Sequence, residues 1–76
     1  MTGPELKAIR LKLGLTPTQF GIALGYTGKC GINIHHMEAG RKTITPTVAR
    51  LAKMFAKYGL QNWILEALES AQKDTP

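Results

Sequence analysis

The chain has one cysteine, one serine and one aspartate, and five acidic residues stand against ten lysines and arginines. Cys30 has no second cysteine to pair with, so no internal disulfide forms and a reducing compartment is expected. Ser70 and Asp74 lie near the C-terminal end, and a hydrolytic triad cannot be assembled around them. No glycine-rich loop follows a strand pattern to cradle a phosphate, and no carboxylate pair is framed for acid–base work. The expectation is a protein that is not an enzyme and carries no cofactor. No apolar run approaches the roughly 20 residues of a membrane span, and the opening MTGPELKAIR lacks an apolar signal core. A soluble, cytoplasmic protein with no membrane partner is expected. Repeats and low-complexity segments are also missing.

What is present is a basic, moderately apolar domain. Seventy-six residues make one domain, and a chain this short buries only about 60% of its unfolded surface. Hydrophobic residues make up 43% of it, enough for one modest core. The net charge of +5 and pI near 9.7 fit a polyanionic partner, although surplus lysine also serves solubility.

Three segments open with the same grammar. Thr2-Gly3-Pro4-Glu5, Thr16-Pro17-Thr18-Gln19 and Thr45-Pro46 each offer a threonine cap with proline in the first turn. Proline costs nothing there, because its missing N–H would be unpaired anyway. Glu5 and Gln19 complete capping boxes. Leu6, Ile9 and Leu13 form the inner face of the first helix, ended by Gly14. Phe20, Ala23 and Leu24 do so for the second, ended by Gly25. Gly21 costs about 1 kcal/mol against alanine in a helix interior, which implies close approach of another backbone.

A third helix must carry Cys30, Ile34 and Met37 on one face, start somewhere between Gly28 and Ile32, and stop at Gly40. Arg41 to Thr45 is a basic loop, in which Ile44 is either an anchor or an exposed contact. Val48, Leu51, Ala52 and Phe55 line a fourth helix that Gly59 stops. A fifth, about Asn62 to Ala71, shows Trp63, Ile64, Ala67, Leu68 and Ala71 in one stripe with Leu65 beside it. The expectation is an all-α, five-helix domain over residues 1–71 with a flexible tail at 72–76.

The pieces LGLTPTQFGIALGYT, INIHHMEAGRKTITP and VARLAKMFAKYG, in that order, resemble the lambda-repressor-like, or Cro-like, helix-turn-helix family. The resemblance spans about Leu6 to Gly59, with the helix-turn-helix at about residues 16–40. In that family the second helix of the motif enters the DNA major groove while the first crosses the phosphate backbone. Two features depart from it. Thirteen positions separate Gly21 from Ile34, three more than the family spacing, so an insertion is inferred within Tyr26 to Gly31 that lengthens the turn or extends the helix. Pro17 stands where relatives often place a glutamine-like phosphate ligand, which moves that role to Thr16 or Thr18. The resemblance also implies a structural pair between Arg10 and Glu38.

Opposite the Ile34–Met37 face, a helical wheel places Lys29, Ile32, His35 and His36, with Asn33 at the flank. Family position puts Gly31, Ile32, His35 and His36 where base edges are reached. Ile32, Asn33, His35 and His36 are therefore the expected base readers; a solvated helix surface is the alternative for the two histidines. Thr16, Thr18, Lys29, Arg41, Lys42 and Thr43 are the expected phosphate contacts. No metal is expected, because adjacent histidines project about 100° apart on a helix and cannot easily share one ion. Trp63, Ile64, Leu65 and Leu68 either seal the core or form a dimer interface.

Together these imply a sequence-specific double-stranded DNA-binding transcriptional regulator. The expected form is a small phage or mobile-element repressor that binds an inverted-repeat operator as a homodimer. An antitoxin that also holds a toxin, or a helix-turn-helix fold used only for protein binding, is the alternative.

Overall fold

The threonine-proline openings and glycine stops divide the chain as its spacing requires. In a computed structural model describing residues 1–73, and side-chain surroundings through Glu69, the helices are α1 (Gly3–Lys12), α2 (Pro17–Ala23), α3 (Cys30–Glu38), α4 (Pro46–Tyr58) and α5 (Asn62–Lys73). The described residues contain no strand, and the fold is all-α.

Local rules set the ends. The Thr2 and Thr16 hydroxyls accept from the Glu5 and Gln19 backbone N–H groups, and the Glu5 and Gln19 side chains bond back in full capping boxes. The Thr45 hydroxyl caps α4 through the Val48 N–H. At the other ends, paired bonds of Schellman type close α1, α2 and α3. In α2 these run from Gly25 N to Ile22 O and from Tyr26 N to Gly21 O, both at 3.0 Å. Gly25 sits at φ 92°, a conformation that L side chains rarely adopt. The end of α5 differs from expectation. The helix continues through Gln72 and Lys73, past the expected stop at Ala71, because both are good helix formers and no glycine or proline interrupts them. Of the expected flexible tail, residues 74–76 lie outside the described residues, as do the side-chain surroundings of Ala71.

α2 packs on α3 and α5, and α1 packs on α3 and α4. Leu6, Phe20, Leu24, Ile34, Met37, Val48, Ala52, Phe55 and Ile64 form one core. Each such side chain contributes about 1.5–3 kcal/mol by leaving water. Ile44 packs against this core, so it anchors the basic loop rather than facing outward. The apolar stripe of α5 splits. Ile64 and Leu68 are 2% and 6% exposed, whereas Trp63 is 68% exposed and Leu65 and Ala67 also face outward. Of the four residues expected to be available for a dimer, two are therefore spent inside the chain.

The six residues Leu24 to Lys29 separate α2 from α3. The Schellman closure uses Gly25 and Tyr26, which leaves Thr27-Gly28-Lys29 as the remainder of the turn, where Gly28 sits at φ 71°. The helix that follows, α3, is nine residues long.

Candidate functional site

α3 is held by contacts that only small residues permit. A Cβ on Gly21 would lie 2.6 Å from the Cys30 Cβ and 2.8 Å from its carbonyl oxygen, which bears out the close approach expected at Gly21. A Cβ on Gly31 would lie 2.6 Å from the Thr18 hydroxyl. The opposite end of α3 meets the start of α1, where a Cβ on Gly3 would strike the Glu38 carbonyl oxygen. Arg10 adds an ionic tie, its Nε 2.7 Å from Glu38 Oε2 and its Nη2 donating to Oε1 at 3.2 Å. Arg10 Nη1 also donates to the Leu15 carbonyl at 3.1 Å. The two side chains are only 10% and 8% exposed, and a bidentate pair that dry fixes orientation more surely than it adds stability.

With Cys30, Ile34 and Met37 buried and Glu38 drawn onto Arg10, the outward side of α3 is left to Ile32, Asn33, His35 and His36. Ile32 is 51% exposed, His35 is exposed and His36 half-exposed. The His35 and His36 ring centroids are 6.2 Å apart, so the two imidazoles form one tilted polar edge. An open cleft of about 400 Å³ runs between the amino ends of α2 and α3, lined by Pro17, Thr18, Gly28 to Ile32 and His35. The α3 start opens on it without a cap. Lys29 occupies the cap position with no side-chain bond, unlike the threonines before α1, α2 and α4. Uncapped N–H groups at a helix start carry partial positive charge toward solvent.

The surrounding charge has one sign. Between Glu5 and Glu66 the only carboxylate is Glu38, and Arg10 neutralises it. Lys29, Arg41, Lys42 and Thr43 are exposed around α3, and Thr18 is exposed across the cleft. Thr16 is the helix cap that its sequence position requires. Its backbone N–H donates to Gln19 Oε1 at 3.0 Å and its hydroxyl accepts from Gln19 N at 3.2 Å, so it serves first as a cap.

Asn33 and Lys42, expected at a base edge and a phosphate, bond to each other in the structure. Asn33 Nδ2 donates to the Lys29 carbonyl at 3.2 Å, and its Oδ1 accepts from Lys42 Nζ at 2.8 Å. Both ends of the amide are thus engaged within the protein. The same Lys42 Nζ lies 5.3 Å from the centroid of the Tyr26 ring. Tyr26 carried no role in the sequence, although the residue just after a glycine stop commonly makes a hydrophobic contact back to its helix. Gly31 was legible as a weak helix start and, by family position, as a base-edge slot; its contact with Thr18 is tertiary and leaves no mark in the spacing.

Chemically, the surface offers hydrogen-bond donors and acceptors, one apolar contact in Ile32, and surrounding cations. Among the described residues no three histidine, cysteine or carboxylate side chains cluster to hold a metal ion. No family model, no curated protein and no solved structure matches the chain.

Proposed function

We propose that this chain is a small DNA-binding transcriptional regulator, a repressor that reads an inverted-repeat operator as a homodimer by laying α3 in the major groove. The observation that carries this reading is the Ile32–His35–His36 edge of a firmly held helix, with Lys29 and Arg41 exposed beside it. A helix is about 10–12 Å across with its side chains, which a major groove about 12 Å wide admits. His35 and His36 are suited to donate to or accept from base edges, and Ile32 to touch a thymine methyl. Lys29, Arg41, Thr43 and Thr18 are suited to phosphates, which set register without reading sequence. The stretch from residue 6 to 65, whose one carboxylate is paired with Arg10, supports a polyanionic partner, and the exposed Trp63 and Leu65 of α5 support a second copy.

The test is selection from a random duplex pool followed by a salt titration of the winner. An inverted repeat should emerge, with log K falling against log salt by about 0.9 for each phosphate neutralised. Failure to retain any duplex at low salt would overturn the reading. It would favour the same surface acting on a protein.

A further inference from the structure

The turn before α3 raises a physical problem. Thr27, Gly28 and Lys29 are all exposed and the amino end of α3 has no cap, so that end ought to be loose. One group answers it from outside the turn. Lys42 leaves the far end of α3, where its backbone N–H donates to the His36 carbonyl at 3.2 Å. Its side chain then runs back along the helix to reach Asn33 Oδ1 at 2.8 Å and the face of Tyr26 at 5.3 Å. Asn33 passes the tie on to the Lys29 carbonyl, the residue at which α3 begins. Tyr26 is itself fixed. It packs against the core, its N–H donates to Gly21 O at 3.0 Å, and its carbonyl accepts from the Cys30 thiol at 3.3 Å.

We propose that Tyr26, Lys42 and Asn33 form a clip that makes the turn, α3 and the loop after it one rigid body, with Tyr26 and Lys42 as positioning residues for sequence reading. Lys42 serves this clip rather than a phosphate, and Asn33 is its relay rather than a base reader. The ring face attracts the ammonium by its quadrupole, so the tie needs an aromatic ring at position 26 and a cation at 42, but not the tyrosine hydroxyl. The proposal rests on α3 being the DNA-reading element, and its two parts are tested separately.

In the free chain, Lys42→Met and Tyr26→Leu should each speed amide exchange at residues 27–33, while Tyr26→Phe and Lys42→Arg restore wild-type protection. On duplex DNA, the first two variants should lower the preference for the selected sequence over near variants by about two- to fivefold, the scale of an exposed cation–aromatic contact. The salt slope should stay at the wild-type value, and the two conservative variants should keep wild-type preference. A Lys42→Met chain whose slope falls by about 0.9 with base preference unchanged would make Lys42 an ordinary phosphate ligand and overturn the clip. Unchanged exchange at residues 27–33 in both disruptive variants would overturn it without reference to DNA. A wild-type chain that binds no duplex would instead remove the DNA reading, leaving the exchange result to decide the clip.

Discussion

Gly31 and Thr18 show how a single missing methyl group can set the presentation of a helix. The Thr18 hydroxyl occupies the space that a side chain at position 31 would fill, so α3 approaches α2 only while position 31 has no Cβ. Gly31→Ala should favour the helix by about 1 kcal/mol through propensity, yet it must displace that hydroxyl. Thr18 is β-branched, and rotating the hydroxyl away brings its methyl in. Serine has no such methyl. Gly31→Ala alone is therefore expected to weaken binding to the selected duplex, and Gly31→Ala/Thr18→Ser to recover most of it, in a double-mutant cycle read by duplex affinity. Purely additive losses would show that the two residues do not share a space. Arg10 makes the complementary case at the same scale. Arg10→Met leaves the Glu38 carboxylate dry and unpaired and strands the Leu15 carbonyl, which should cost about 3–5 kcal/mol. For a chain this size, total stability is only about 4–11 kcal/mol. The single variant should thus melt far below wild type in thermal unfolding, while Arg10→Met/Glu38→Leu recovers much of the loss. A single variant melting within a few degrees of wild type would show that water reaches the pair.

Elements were far more legible than contacts. Thr2, Thr16 and Thr45, each followed by proline in the first turn, mark their helix starts by chemistry confined to four neighbouring residues, and these starts stand where expected. Ile34 and Met37 identify the buried face of α3 because spacing on a helix is itself geometry. The start of α3 was ambiguous for the opposite reason: Lys29 caps nothing, so no local signal marks it. The roles of Asn33, Lys42 and Tyr26 depend on residues 26 and 42 meeting across a folded surface, which no periodicity encodes. The turn between α2 and α3 shows the same division between local and tertiary information. Since the Schellman closure is complete at Tyr26, the residues Thr27, Gly28 and Lys29 lie outside the grammar of both helices. A chain lacking these three residues is expected to fold cooperatively. Halving the loop changes its closure entropy by only about 0.6 kcal/mol. Its DNA preference should nevertheless change, because the start of α3 is re-presented. Cooperative thermal unfolding with an altered selected sequence is the expected pair of results. A broad, non-cooperative melt would mean that the turn is part of the core structure rather than an addition to it.

For the molecule as a whole, the open question is what covers α5. Ile64 and Leu68 already pack inward, so among the described apolar residues of α5 a second copy can meet Trp63, Leu65 and Ala67, together with the groove of about 410 Å³ that Trp63 borders beside Ile22, Leu51 and Met54. That geometry separates two quantities that are usually confounded. Trp63 is 68% exposed in the single chain, so Trp63→Ala should change monomer stability by no more than about 0.5 kcal/mol. If Trp63 is a central anchor of a dimer, the same change should weaken association by about 2 kcal/mol or more, a loss of roughly thirtyfold. Scale is compatible with pairing on DNA. The longest extent of the domain is 31 Å, and half-sites one helical turn apart lie about 34 Å from centre to centre. Because Trp63 is the only tryptophan in the chain, its emission reports burial directly. Raising the wild-type concentration should shift that emission to the blue in step with a sedimenting dimer. Under the same conditions Trp63→Ala should sediment as a monomer with an unchanged melting curve. A wild-type chain that stays monomeric at high micromolar concentration and loads onto an inverted repeat one copy at a time would leave α5 without a role in pairing.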